Sequence, residues 1–283
     1  MPELPEVEVL ARHLRPLLIG KTIRTVDVRR EKVLRPTTNS RFKKVLRGAK
    51  FMDLKRRGKY LVFELRQKKS RKEIQLLGHL GMTGRMFLVP KKTLPPKHAA
   101  VILNLGAQNF IYEDTRYFGR LTLDISAVVK LGPEPWDKNF TPEQFHKKLK
   151  TSRQPVKVKL LDQSLIAGVG NIYASEALFR AKISPRRAAN KISLASAKKL
   201  FSAICTVMQE AIDCGSTIPL NFAGRKADGL FYFGRAAGVT DYYDEQLRVY
   251  DRAGRPCASC GFTIKRIVQA ARSTFLCGHC QKD

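Results

Sequence analysis

Two groups of residues in this chain have the types and spacing to do chemistry, one at each end. The first is Pro2-Glu3, followed by Leu4-Pro5-Glu6-Val7-Glu8. Removal of Met1, which a small second residue such as proline permits, leaves a secondary amine beside a carboxylate. An α-amine has a pKa near 8 against about 10.4 for lysine, so roughly a tenth of it is unprotonated at neutral pH. Such an amine is a ready Schiff-base nucleophile. The same residues also read as a helix start. Proline is tolerated in a first turn, acidic residues suit the positive end of the helix dipole, and Leu4, Val7, Ala11 and Leu14 recur on one face. On these residues alone the two readings stand level. The second group is Cys257-x2-Cys260 and Cys277-x2-Cys280, with sixteen residues between the pairs. This spacing fits one structural zinc ion held by four thiolates with no open position. Nothing around it resembles a redox βαβ unit, and His279 is surplus to a shell that the cysteines complete.

Elements must position these groups, and composition bounds what the elements build. The 283 residues suit two domains and a small appendage. Lys+Arg number 53 against 24 Asp+Glu, a net charge of +29, while 43% hydrophobic residues indicate a folded protein and not a basic tail. Such an excess implies a polyanionic partner, because each neutralised phosphate releases counterions; a membrane surface or the ribosome would also attract it. No stretch has transmembrane length, and the acidic, proline-containing start lacks the regions of a signal peptide. The expectation is a cytoplasmic protein, with no membrane partner and with its six cysteines reduced.

After the first helix, Pro16 and Gly20 punctuate and the pattern turns to short strands. These are expected at Thr22–Val28, Phe51–Lys55, Tyr60–Leu65, Ile74–Leu77, Arg85–Val89, Ala99–Leu105, Phe110–Tyr112 and Leu121–Asp124, with Arg56-Arg57-Gly58-Lys59 as a hairpin turn. This half reads as a β-sandwich with the N-terminal helix against it. Leu131-Gly132-Pro133-Glu134-Pro135 is a stiff break. Helices follow: one opened by the capping box Thr141-Pro142-Glu143-Gln144, one over Val156–Asp162, one starting after Gly168-Val169-Gly170-Asn171 and running through Ala181, and one from Ser193 closing at Gly215. Cys205 and Cys214 fall on the last as packing residues. Ser216–Glu245 is a long loop rich in glycine and aromatics, Leu247–Tyr250 reads as a strand, and a β-hairpin between the cysteine pairs carries Lys265, Arg266 and Arg272 on a cationic face.

Three weaker signals concern anions and bases. Gly168-Val169-Gly170-Asn171 resembles an anion cradle at a helix N-terminus, with a DNA phosphate as the expected anion. Gly78-His79-Leu80-Gly81-Met82-Thr83-Gly84 places an exposed methionine on a glycine-rich loop, and Asp114-Thr115-Arg116-Tyr117-Phe118-Gly119 sets an arginine and an aromatic side by side at a strand end. Met and Phe can wedge into a gap in a base stack while Arg hydrogen-bonds an orphaned base. Sequence position alone favours Met82 and Phe118 as core residues.

Taken together and in order, these motifs resemble the formamidopyrimidine-DNA glycosylase family over nearly the whole chain. The matching residues are Pro2 through Glu8, Gly58-Lys59-Tyr60-Leu61, His79 through Gly84, Asp114 through Gly119, Gly168 through Glu176, and the cysteine knuckles with Arg272-Ser273-Thr274-Phe275. Leu4 matches the purine-repair branch; the related endonuclease VIII branch has glycine there.

The resemblance implies an α+β multidomain fold: an N-terminal catalytic β-sandwich (1–131), a helix–two-turn–helix domain (136–246) with a lesion-capping loop (216–245), and a zinc-finger hairpin (247–283). It implies a monomeric DNA glycosylase and abasic-site lyase of base excision repair, acting on double-stranded DNA with oxidised purines or abasic sites. Pro2, Glu3, Lys59 and Arg272 would be the catalytic set, supported by Glu6. His79, Met82, Arg116, Phe118, Lys157 and Asn171 would contact DNA. Two departures stand out. Tyr117 occupies a position where many members have a second arginine, and Ser216–Glu245 is longer and more aromatic than the usual capping loop. The alternatives are an endonuclease VIII-like enzyme for oxidised pyrimidines and a non-catalytic damaged-DNA-binding protein.

Overall fold

A computed structural model describes residues 2–67, 71–217 and 247–282, without the side chains of 216 and 217. The described residues form two compact units. One holds Pro2 and Glu6–Val129; the other holds Glu3–Pro5, Lys130–Thr217 and residues 247–282.

The first unit is the expected sandwich. Helix α1 (Leu4–Leu18) precedes β1 (Thr25–Val28), a 3₁₀ turn (Glu31–Leu34) and α2 (Asn39–Leu46). Then come β2 (Ala49–Arg57), β3 (Tyr60–Gln67), β4 (Glu73–His79), β5 (Arg85–Pro90), β6 (Ala99–Asn104), β7 (Gln108–Glu113), β8 (Arg120–Thr122) and the short α3 (Ser126–Val129). Two four-stranded antiparallel sheets result, ordered β1-β6-β7-β5 and β2-β3-β4-β8. Phe63 of β3 meets Phe51 of its own sheet at 6.0 Å and Phe110 of the facing sheet at 5.7 Å, both edge-on, which marks the core between the layers. The α1 face read from the sequence is buried: Leu4, Val7, Ala11 and Leu14 are all inside. The helix begins only at Leu4, so Pro2 and Glu3 precede it, and it runs through Pro16 to Leu18. Neither the 3₁₀ turn nor α2 was expected. Their apolar residues are few, and Thr38 caps α2 by accepting from the Arg41 N–H at 3.4 Å.

In the second unit, α4 (Pro142–Lys150) starts at the foreseen capping box, with both reciprocal bonds of Thr141 and Gln144 present. Then follow α5 (Val156–Leu160), α6 (Asn171–Arg180) and α7 (Leu194–Thr217). Phe140, Phe145 and Phe201 form the aromatic centre, with ring centroids 5.4–6.2 Å apart. Helix α7 continues through Gly215 to Thr217, so the capping loop expected at 216–245 starts inside a helix, and the rest of it lies outside the described residues. Cys205 is half-buried, and burial pushes its thiol up to about 11, as suits a packing residue.

The strand expected at Leu247–Tyr250 does not form. The N–H groups of Arg248, Val249 and Tyr250 all donate to the Glu176 carboxylate, at 2.9, 2.9 and 2.8 Å, which leaves none of them for a strand partner. Burial nevertheless pushes the Glu176 carboxyl above the usual carboxylate range. The C-terminal hairpin does form: β9 (Ile264–Gln269) pairs with β10 (Arg272–Cys277). Its turn residues Ala270 and Ala271 have φ of 46° and 57°, a conformation that glycine adopts with less strain.

Within the first unit, a sheltered ion pair fastens the β2–β3 hairpin turn to α1. Glu8 accepts from Arg56 Nε and from Arg12 Nε, each at 2.7 Å, and Arg56 Nη1 donates to the Gly58 carbonyl at 3.2 Å. Burial raises the Glu8 carboxyl, but the two guanidinium groups outweigh it and hold the pKa below the ordinary value. Arg56→Ala leaves Glu8 and the Gly58 carbonyl each short of a donor, and we expect a loss of about 2 kcal/mol in urea unfolding. An unchanged midpoint would show that the pair does not hold the turn.

Candidate active site and nucleic-acid interface

Glu3, just before α1, is only 2% exposed. Its carboxylate accepts from the N–H groups of Ile172 at 2.9 Å and Tyr173 at 3.3 Å, in the first turn of α6. The Leu4 N–H, one residue on, donates to the Gly168 carbonyl at 3.1 Å. The glycines of the Gly168-Val169-Gly170 turn are needed for this approach. A Cβ at Gly170 would sit 2.3 Å from Glu3 Cδ, and one at Gly168, where φ is +96°, would sit 2.4 Å from Leu4 Cδ1. The anion cradle expected for a DNA phosphate is real, but these amides of it are taken by the protein's own carboxylate. A helix N-terminus favours any anion, and spacing along the sequence does not reveal which one arrives.

Lys157, Asn171 and Arg272 gather beside it. Lys157 is fully buried; its ammonium donates to Asn171 Oδ1 and, at 3.4 Å, to the Ser273 carbonyl, while Asn171 Nδ2 reaches the same carbonyl at 2.9 Å. Burial first, then the charge of Arg272, bring the Lys157 pKa down to about 8, against the opposing pull of Glu3. An ammonium so destabilised gains from an anion placed next to it. Arg272 itself is exposed, at the mouth of the β9–β10 turn. Tyr250, which the sequence reading passed over, joins this group through a hydrogen bond with Asn171 and edge-on packing 5.1 Å from Phe275.

In the other unit, Lys59 is buried at the β2–β3 turn, next to Gly58, whose φ is 57°. Glu6 is fully buried in the first turn of α1, and Pro2 is buried too. His79 ends β4, its ring 4.7 Å from that of Tyr60 and its Nδ1 accepting from the Gly81 N–H at 3.2 Å. Burial, then the charges of Lys59 and Arg120, push its pKa down to about 4. His79 is therefore neutral at pH 7 with its proton on Nε2, a hydrogen-bond donor and not a cation.

Met82 and Phe118 are 47% and 51% exposed, so the core reading fails for both. Arg116 joins them, with Nη1 3.3 Å from Met82 Sδ and Cζ 4.8 Å from the Phe118 ring centre. The two turns that carry these residues are tied by Asp114, to which the sequence reading gave no task. Its buried carboxylate accepts from Thr83 Oγ1 at 2.6 Å, the Arg116 N–H at 3.1 Å and the Gly119 N–H at 2.8 Å. Gly81 and Gly119 permit the contact; a Cβ at Gly81 would fall 2.6 Å from the Gly119 nitrogen.

The four cysteines of the knuckles meet as expected. Their Sγ atoms all lie within 4.8 Å of one another, with separations of 3.9 Å (Cys257–Cys280), 3.5 Å (Cys260–Cys277) and 3.4 Å (Cys260–Cys280). Bonds of ~2.3 Å to a tetrahedral zinc place sulfurs ~3.8 Å apart, so the set fits one zinc ion. The surrounding core of Val249, Ile264 and Phe275 includes Phe179 of α6. His279 instead stacks on Phe262, with ring centres 4.6 Å apart.

Comparison with known proteins agrees with the motifs. The family descriptions that match are the formamidopyrimidine-DNA glycosylase N-terminal domain over residues 1–121, its H2TH domain over 131–221, and the zinc finger found in FPG and IleRS over 254–282. The formamidopyrimidine-DNA glycosylase of Desulfitobacterium hafniense is 37% identical over 288 residues, covering 99% of this chain and all of its own length. That of Thermus thermophilus is 38% identical over 290 residues, covering 100% of this chain and 99% of the relative. Among solved structures, Lactococcus lactis Fpg with abasic-site DNA superposes with a TM-score of 0.85 at 32% identity, covering 99% of this chain and 100% of that one. The same protein with DNA containing Fapy-dG gives 0.86 at 31% identity over the same shares.

Two outcomes are expected. Because the His79 pKa lies below 6.5, the unfolded chain takes up its proton more readily, so its contribution to stability is complete above pH 6.5 and is lost as pH falls toward 4. The loss reaches ~3 kcal/mol, and urea unfolding of His79→Gln from pH 7 to 4 should show a slope flatter than wild type by that amount; parallel slopes would refute it. Cys260→Ser should lower the zinc content below one ion per chain and loosen the β9–β10 hairpin, while the sandwich unit keeps its unfolding transition. Full zinc retention by atomic absorption would show that the four thiolates are not the ligand set.

Proposed function

Because the chain belongs to the formamidopyrimidine-DNA glycosylase family, we propose that it is a DNA glycosylase of base excision repair with abasic-site lyase activity. Its substrates are oxidised purines, 8-oxoguanine and formamidopyrimidines, in double-stranded DNA. The Pro2 amine, free once Met1 is removed, attacks the deoxyribose C1′ with its lone pair. The C1′–N bond breaks and the base leaves with that electron pair and a proton. The buried Glu3 carboxylate, held by the two α6 amides, handles protons on the opening sugar, and Glu6 supports the site. The iminium acidifies the C2′ hydrogen, so its loss expels the 3′ phosphate, and a second elimination expels the 5′ phosphate. Lys59, His79, Lys157, Asn171 and Arg272 hold backbone phosphates, while Met82, Arg116 and Phe118 fill the void left by the extruded nucleotide, with Arg116 toward the orphaned cytosine.

The observation that supports this reading best is the burial of Glu3 next to Pro2, on glycines that leave room for nothing larger. A protein that only binds damaged DNA has no use for an amine–carboxylate pair at that depth. Leu4 and Arg116 favour purine lesions over the pyrimidine lesions of the endonuclease VIII branch.

Borohydride trapping on a duplex with one 8-oxoguanine opposite cytosine tests it. Protein lacking Met1 should give a covalent adduct, and Glu3→Gln should reduce its formation at least tenfold. Absence of any adduct from wild-type protein would overturn the enzymatic reading, and an adduct only with oxidised pyrimidines would move it to the other branch.

A further inference from the structure

The loop that carries Arg116 and Phe118 holds a second arginine–aromatic pair that the proposed mechanism does not use. Tyr117 lies between them with φ of 54°, a conformation uncommon for a bulky residue. The bonds from Asp114 to the Arg116 and Gly119 N–H groups fix the backbone on either side of it. The half-buried Tyr117 receives Arg30, a residue far away in sequence: Arg30 Nε donates to the Tyr117 hydroxyl at 3.1 Å, and its Cζ stands 5.5 Å from the ring centre.

Arg30 is otherwise uncompensated. It is exposed, its own N–H donates to the Ala100 carbonyl at 3.2 Å, and its Nη1 makes only a long 3.5 Å contact with the Arg29 carbonyl. The acidic neighbours are engaged elsewhere: Asp27 pairs with Arg29 at 3.0 Å, and Glu31 accepts from Asn39 at 2.7 Å. Among the described residues no carboxylate lies within ion-pair distance of Arg30. Its guanidinium is thus aimed by a phenol and a ring while its charge faces no counter-ion. A planar fork held in this way suits a phosphate oxygen, which it can bind through two N–H groups with less rotamer freedom to lose.

We propose that Arg30 binds a phosphodiester of the DNA strand opposite the lesion, and that Tyr117 is the residue that positions it. The proposal rests on the reading of Met82, Arg116 and Phe118 as the wedge, because that reading brings this loop to the orphaned base. The tyrosine then contributes no charge of its own, but it brings one to the loop from the turn after β1.

Binding of a duplex carrying a tetrahydrofuran abasic analogue, measured against salt, tests the pair. Arg30→Ala should weaken binding roughly 3- to 10-fold and flatten the slope of log K against log salt by about 0.9, the signature of one phosphate contact. Tyr117→Phe should weaken it less, and Tyr117→Arg should restore slope and affinity in the Arg30→Ala background. A scan of neutral methylphosphonates along the opposite strand should find one position that weakens wild type and not Arg30→Ala. An unchanged slope for Arg30→Ala with thermal melts equal to wild type would overturn the proposal, as would a scan with no such position. Slopes on an undamaged duplex separate this from the glycosylase reading. If wild type gives no borohydride adduct yet Arg30→Ala still flattens the undamaged slope, the phosphate contact stands and the enzymatic reading falls. If the adduct forms and neither slope changes, the reverse holds.

Discussion

The candidate site depends on one buried interaction: the Glu3 carboxylate on the first amides of α6. A carboxylate taken out of water has to recover its hydration from fixed donors, and the N-terminus of a helix offers unpaired N–H groups together with a favourable dipole. The two bonds, at 2.9 and 3.3 Å, fix the Glu3 carboxylate. The fit is tight enough that Gly168 and Gly170 cannot carry even a methyl group without colliding with Leu4 or Glu3. The same helix also holds Asn171 at its start and Glu176 in its middle, where the second carboxylate collects the amides of residues 248–250. Helix α6 thus holds the Glu3 carboxylate at its N-terminus and the chain entering the zinc module from one rigid element.

The cluster of Met82, Arg116 and Phe118 rests on a comparable device. Asp114 gathers donors from two turns, so Met82 and Arg116 do not depend on loop entropy for their meeting. Met82 and Phe118, both exposed, are each in contact with the Arg116 guanidinium, which keeps them together.

Charge is used sparingly at the candidate site despite the net +29. His79 is kept neutral by burial and by the cations around it, and Lys157 is held near pH 8 by burial and Arg272. The long-range field of the protein draws a polyanion in, whereas these sheltered groups add little to it.

Much of this was legible in the sequence, where local rules decide. The cysteine spacing gave the zinc module, the Thr141 capping box gave the start of α4, alternating apolar residues gave most strands of the sandwich, and the motifs in order gave the family. Tertiary structure decided which groups meet. The sequence placed an anion at Gly168–Gly170 but not Glu3 as that anion, and it offered Leu247–Tyr250 as a strand whose amides Glu176 then claims. It gave no sign of Asp114 as a tie or of Arg30 on Tyr117, and it left Met82 and Phe118 between a wedge and a core reading. The physical reason is the same in each case. Helix periodicity, capping and metal spacing act over a few residues and are written in the chain, while the partner of a buried carboxylate or an exposed guanidinium is chosen by folding from residues tens to hundreds of positions away.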